Sequence, residues 1–214
     1  MPVDEPLYPV NLSVAGRRCL VVGAGAVAMQ KIAGLLECRA VVHVVAPSVG
    51  ASVRALAEDG AIELDERLYR PGDVEGHRLV FTATDDPDVN RAVSEAADAA
   101  GIWVNSADDP DNCSFTLPSR IRQGPLLVTF GTGGHSPAVA RWLKRTYEEE
   151  FGAEYVTLIE MLGDERRAIQ AAGRPTEGLD WQAALDSGML DLIREGRLAE
   201  AKERLQACLS SSSD

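Results

Sequence analysis

The chain has 214 residues, of which 45% are hydrophobic and 25% charged, and 21 Lys and Arg stand against 33 Asp and Glu for a net charge of −12. This is the composition of a folded globular protein of one large or two small domains, and it excludes a disordered chain, a coiled coil and a general binder of nucleic-acid backbones. The sequence has no apolar run of ~20 residues and no basic leader at its start, so it reads as cytoplasmic, without membrane contact.

The four cysteines, Cys19, Cys38, Cys113 and Cys208, are scattered without a C-x-x-C pair, and His43, His77 and His135 are equally dispersed. No zinc or iron–sulfur site is expected from such spacing.

The first hundred residues alternate apolar runs with helical patterns, the signature of βαβ units and a parallel, doubly wound sheet. Strands are predicted over Arg18 to Val22, Val41 to Ala46, Ile62 to Arg67, Leu79 to Ala83 and Ile102 to Asn105. Helices are predicted over Val27 to Glu37, Ala51 to Asp59 and Pro87 to Ala100, with Asp86 as N-cap of the last and Gly101 as its stop. Two shorter strands are expected at Ser114 to Leu117 and Leu126 to Phe130. Beyond Ser136 the pattern is helical, with breaks near Gly152, Gly173 to Gly178 and Gly196, and a frayed tail from Ser210. The acids are concentrated late: residues 146–214 carry 15 acids and 7 bases, which reads as a solvated exterior.

Gly23-Ala24-Gly25-Ala26-Val27-Ala28 follows the first strand and opens a helix, the context that makes G-x-G-x-x-A a dinucleotide fingerprint. Gly23 permits the tight turn, Gly25 lets a pyrophosphate approach the backbone, and Ala28 allows close packing of helix on strand; the amides of Ala26 and Val27 complete the phosphate cradle. The second strand ends without the Asp or Glu that binds an adenosine ribose, so Ser48 or backbone groups take that place and NAD and NADP both stay open. Thr84 and Asp85, at the end of the fourth strand, are candidate contacts for the nicotinamide and its ribose, whereas Asp86 reads equally well as a helix cap.

From Asn112 to Tyr147 there are 36 residues without one Asp or Glu, yet with Arg120, Arg122, Arg141, Lys144, Arg145 and His135. Such charge focusing attracts anionic ligands. Within it Phe130 to Pro137 joins a strand to a helix, with Ser136 as N-cap, and presents amides to carboxylates or phosphates. Just before it, Asp108 follows the fifth strand and is the candidate proton acceptor, while Asp109-Pro110-Asp111 reads as a turn.

Four motifs in order then identify a resemblance: Gly23 to Lys31, Ala83 to Asn90, Asn105 to Phe115 and Gly131 to Arg141. Together they resemble the precorrin-2 dehydrogenase family of sirohaem synthesis, from about Tyr8 to about Glu150. The resemblance implies an α/β subunit in three parts: a Rossmann-type NAD-binding domain over 1–113, a small dimerisation and substrate segment over 114–145, and a helical C-terminal part over 146–214. It also implies a homodimer and the NAD-dependent oxidation of precorrin-2 to sirohydrochlorin. On its motifs the active-site aspartate falls on Asp108, with Asn105, Ser114, Arg120, Thr132, Gly133, Gly134, His135 and Ser136 as candidate substrate contacts. Thr132 stands where some bacterial members carry a phosphorylatable serine. Some members of the family also insert ferrous iron, Fe2+, as a further substrate, others do not, and the motifs do not separate the two. A polycarboxylate tetrapyrrole suits an acid-free basic segment independently of the resemblance. The competing reading is an NAD(H)-sensing regulatory Rossmann module without catalysis, which shares the glycine fingerprint and needs no aspartate at position 108.

Overall fold

The computed structural model describes residues 6–107 and 112–211, the side chain of Ser211 excepted. It divides into two compact units, one of residues 1–117 with 133–135, the other of 118–132 with 136–214.

In the first unit five parallel strands are ordered β3-β2-β1-β4-β5. They are β1 (Arg18–Val22), β2 (Val41–Val45), β3 (Glu63–Asp65), β4 (Leu79–Thr82) and β5 (Trp103–Ser106). Connecting them are α1 (Ala26–Glu37), α2 (Ala51–Glu58), a 3₁₀ turn Pro71–Val74, and α3 (Pro87–Ala99). The sheet buries both faces, which is why its strands are near-continuous Val, Leu and Ile. On one face Val21, Val42, Val44 and Phe81 pack with Ala28, Ile32 and Leu35 of α1 and Val53 of α2. On the other Leu20, Val22, Val80 and Val104 pack with Val93 and Ala97 of α3 and Val74 of the 3₁₀ turn. The strand order reverses at β1 and β4, so the crevice for a ligand lies at their carboxyl ends. The doubly wound α/β expectation therefore holds.

Asp86 caps α3, its carboxylate accepting from the N–H of Asp88 at 2.9 Å and of Val89 at 3.3 Å. Cys19 is a buried member of the core, and burial pushes its thiol up to about 11, which makes it a packing residue.

The second unit holds the antiparallel hairpin β6 (Ser119–Gln123) and β7 (Leu126–Phe130), then α4 (Pro137–Tyr147), α5 (Glu154–Ala171), α6 (Trp181–Asp186), α7 (Met189–Arg194) and α8 (Leu198–Ser211). Its core is Leu158, Ile169, Ala184, Met189, Leu192, Ala201, Leu205 and Leu209. The expected strand at Ser114 to Leu117 is not one. Ser114 is tied to β5, its N–H donating to the Val104 carbonyl at 2.9 Å, and the Phe115 ring packs edge-on against Phe81. The strand starts after Pro118, where Arg120 and Arg122 point outward and Ile121 inward, and a two-residue Gly124-Pro125 turn joins it to β7. A lone hairpin cannot bury a core. Accordingly Gly124 lies beside Val156 of α5, Phe130 stacks on Tyr147 of α4, and the hairpin groups with the helices, with the junction at 117/118 where the sequence suggested 113/114 and 145/146. The tail expected to fray from Ser210 is helical through Ser211. Among the described residues no helix is long and apolar enough to cross a membrane.

A histidine pair sits beneath the 3₁₀ turn. His43 Nδ1 lies 3.3 Å from His77 Nε2, the rings stack, and His43 Nε2 is 3.4 Å from an Asp65 oxygen. Burial, and then the neighbouring His43, hold the His77 imidazole below its ordinary 6.5, against the Val74 carbonyl that accepts from it. The sign follows: below pH 6.5 the unfolded chain takes up a proton that folded His77 resists, so stability falls as pH drops through 6.5. Urea unfolding between pH 7 and 5.5 should show this loss, with a limiting slope of about 1.4 kcal/mol per pH unit. His77→Gln should flatten the slope; a slope unchanged in the variant assigns it elsewhere.

Candidate functional site

The site is built where β1 turns into α1. Gly23 has φ +112, and a methyl group there would sit 2.3 Å from the Ala83 carbonyl oxygen, so only glycine fits. The turn is fixed by its neighbours: Gly23 N–H donates to Val45 O at 2.9 Å and Ala83 N–H to Val22 O at 2.8 Å. Gly50, in the loop after β2, donates to Ala24 O at 3.1 Å. Gly25 N-caps α1 without a side chain, and a Cβ added to it would meet nothing within 4 Å. The first amides of α1 thus open on free space over exposed Gly25, Ala26 and Val27, while Ala28 is buried against the sheet. This is the cradle that a pyrophosphate requires, bare of side chains and at the positive end of a 12-residue helix. The residues present fit a dinucleotide.

The loops after β2, β4 and β5 lie along the same sheet edge. Ser48 is exposed in the first of them. In the second, Asn90 of α3 organises the turn: its Oδ1 accepts from the hydroxyls of Thr82 and Thr84, and its Nδ2 donates to Thr84 O at 2.9 Å. The Thr84 hydroxyl is thus committed to shaping the loop, and Asp85 beside it is exposed. Asn90, which sequence reasoning passed over, stands four residues after the cap Asp86, a spacing that returns a helical side chain to the same face.

At β5, Asn105 is buried and fully engaged. Its Nδ2 donates to Phe115 O at 2.9 Å and its Oδ1 accepts from Lys31 Nζ at 3.3 Å. Lys31 is a second residue not singled out from the sequence. Its signal was a cation three residues after buried Ala28 and one before buried Ile32, at the margin of the inward stripe of α1. Cys113 Sγ accepts from the N–H of Ser106 at 3.1 Å, and Ser114 Oγ accepts from the N–H of Val104 at 2.7 Å. Ser114 therefore braces the strand end. Ala107 donates to Thr82 O at 2.9 Å, which ties the end of β5 to β4. Asp108 and the Asp109-Pro110-Asp111 segment, expected from the sequence as a turn, lie outside the described residues.

The other candidates are placed by their own surroundings. Arg120 is exposed on β6. Thr132 Oγ1 accepts from Ser136 N–H at 3.2 Å, and Ser136 Oγ accepts from Val139 N–H at 3.3 Å as the expected N-cap of α4. Between them Gly133 and Gly134 both have positive φ, 56° and 78°, and His135 is exposed. Among the described residues no group of three His, Cys, Asp or Glu is placed to hold a metal ion.

The two fingerprint glycines should separate in mutagenesis. Gly23→Ala should destabilise by about 2 kcal/mol or more in urea unfolding, since strain and clash add. Gly25→Ala should stay within about 1 kcal/mol of wild type. Equal losses for both would contradict this packing.

The sequence-family profile described as "Putative NAD(P)-binding" matches residues 10–119, more than half of the chain. The siroheme synthase of Methylococcus capsulatus is 38% identical over 199 residues, covering 92% of this chain and 42% of that protein. The siroheme synthase of Thioalkalivibrio sulfidiphilus is 36% identical over 209 residues, covering 97% and 43%. The chain thus spans under half the length of the curated relatives it matches. Among solved structures, the one named "SirC, precorrin-2 dehydrogenase" aligns with a TM-score of 0.68 at 24% identity over 94% of this chain and 98% of that one, a likeness of fold. By the profile match, and with a glycine turn whose backbone is shaped for a dinucleotide, the chain belongs to this NAD(P)-binding family.

Proposed function

We propose that the chain is an NAD-dependent dehydrogenase that oxidises precorrin-2 to sirohydrochlorin. The observation that carries the reading is the bare glycine cradle at the β1–β4 switch point, on the same sheet edge as the Lys31–Asn105 pair from which the chain passes to Asp108. The likeness to siroheme synthases at 36–38% identity supports the tetrapyrrole as substrate, and it does not favour the regulatory, non-catalytic alternative.

The oxidation removes one hydride and one proton from the macrocycle. NAD, when bound, supplies the hydride acceptor. The α1 amides and the Gly23 turn hold the pyrophosphate; Ser48, Thr84 and Asp85 border the riboses and nicotinamide. Asn105, fixed by Lys31 and Phe115, anchors the strand that leads to Asp108, and Asp108 takes the proton as general base. The polycarboxylate substrate is drawn to the acid-free stretch 112–147, whose basic residues include Arg120 and His135. The working state is a homodimer joined through 114–145, where Val139 and Trp142 are exposed on α4.

An anaerobic assay with precorrin-2 and NAD tests the chemistry. Asp108→Asn should leave NAD affinity unchanged and lower sirohydrochlorin formation by roughly 10²–10⁴-fold. A wild-type rate in the variant removes Asp108 from proton transfer, and no turnover by wild type removes the dehydrogenase reading.

The dimer is tested by light scattering at micromolar protein. The wild type should have twice the chain mass and Trp142→Lys the mass of one chain; a monomeric wild type overturns it.

A further inference from the structure

At the amino ends of β1 and β4, the edge opposite the glycine turn, lies a cleft of about 450 Å³ lined by Gly16, Arg17, Arg18, Gly76, His77 and Arg78. Two strand entries form it, held side by side by Arg78 N–H donating to Arg18 O at 2.7 Å. Three consecutive positions at the entry to β1 and three at the entry to β4 thus place three arginines and a histidine around one opening, in a chain of net charge −12.

The charges are not balanced locally. Arg18 is held by Glu63 through two hydrogen bonds, at 3.0 and 2.7 Å. Arg17 and Arg78 are exposed and make no ion pair with a carboxylate among the described residues. His77 is buried and fixed, between the Val74 carbonyl and His43. The opening therefore combines one guanidinium paired with a carboxylate and two without a carboxylate partner among the described residues. Guanidinium forks match the planar or tetrahedral oxygens of carboxylates and phosphates, and two on one opening suit an anion with at least two such groups.

We propose that this amino-edge cleft is a second anion site, which takes a small ligand bearing two or more phosphate or carboxylate groups, with Arg17 and Arg78 as its principal contacts. The site is separate from the dinucleotide cradle: the five residues of β1 place roughly 15 Å between the two edges. It stands whether or not the chain oxidises a tetrapyrrole.

Isothermal titration of the full chain at about 20 mM salt, with tripolyphosphate and separately with tricarballylate, tests it. Saturable binding of at least one is expected, and which one binds tells phosphate from carboxylate chemistry. Arg17→Ala/Arg78→Ala should weaken it by at least about tenfold. The charge-matched Arg166→Ala/Arg174→Ala, in the second unit, should not, and Gly25→Asp, which blocks the cradle, should leave it intact. Absence of saturable binding by wild type overturns the proposal. So do equal losses in the two arginine doubles, and so does loss in Gly25→Asp with retention in Arg17→Ala/Arg78→Ala, which would place the anion at the glycine turn. Circular dichroism of each variant separates a lost site from a lost fold.

Discussion

At the carboxyl end of β1 the backbone passes so near β4's exit that a methyl group on Gly23 would lie 2.3 Å from the Ala83 carbonyl oxygen. Much else follows from that approach. It draws the exits of two adjacent strands together at the point where the sheet order reverses, and it turns the chain directly into α1. Because no side chain can stand in the gap, the first amides of α1 face open space with a half-charge of helix dipole behind them. Displacing this contact would move the helix off the sheet, and with it Ile32 and Leu35, which fill one layer of the core.

Around that turn, buried and half-buried polar side chains at the sheet edge do the work of positioning. Asn90 gathers Thr82 and Thr84, and Asn105 gathers Lys31 and Phe115. A buried amide left without partners costs more than its bonds contribute, so each of these networks admits few arrangements. Loops that would otherwise vary are therefore held in one shape on either side of the crevice. The rigidity of the crevice thus arises from satisfied polar groups, whereas the sheet below it is held by apolar contact on both faces.

The second unit obeys a different constraint. Its hairpin is polar on its outer face and too small to stand alone, so it leans on α4 and α5 through Phe130, Gly124 and their partners. The last four helices enclose a core of their own, and their acids sit outside it, several in ion pairs such as Arg194 with Glu154 and Arg197 with Glu200. Exposed pairs of this kind add little stability each, and their main effect is a solvated acidic surface.

The sequence by itself determined the parallel sheet, the glycine turn, the caps Asp86 and Ser136 and the helical character of the second half. All of these are local: a strand buried on both faces is a continuous apolar run, a cap is one residue at a helix start, and a G-x-G-x-x-A turn is a short string. Tertiary structure decided what depends on distant partners. The strand expected at Ser114 gave way because Val104 and Phe81, which precede it in the chain by at least ten residues, hold that segment on the sheet. The true strand, with Ile121 as its one buried apolar residue, leaves too faint a periodicity to read. Lys31 and Asn105 are 74 residues apart and meet only because α1 and the end of β5 share a face of the sheet. The amino-edge cleft is likewise invisible in sequence, since Arg17 and Arg78 immediately precede strands that become neighbours only when the order of the sheet is set.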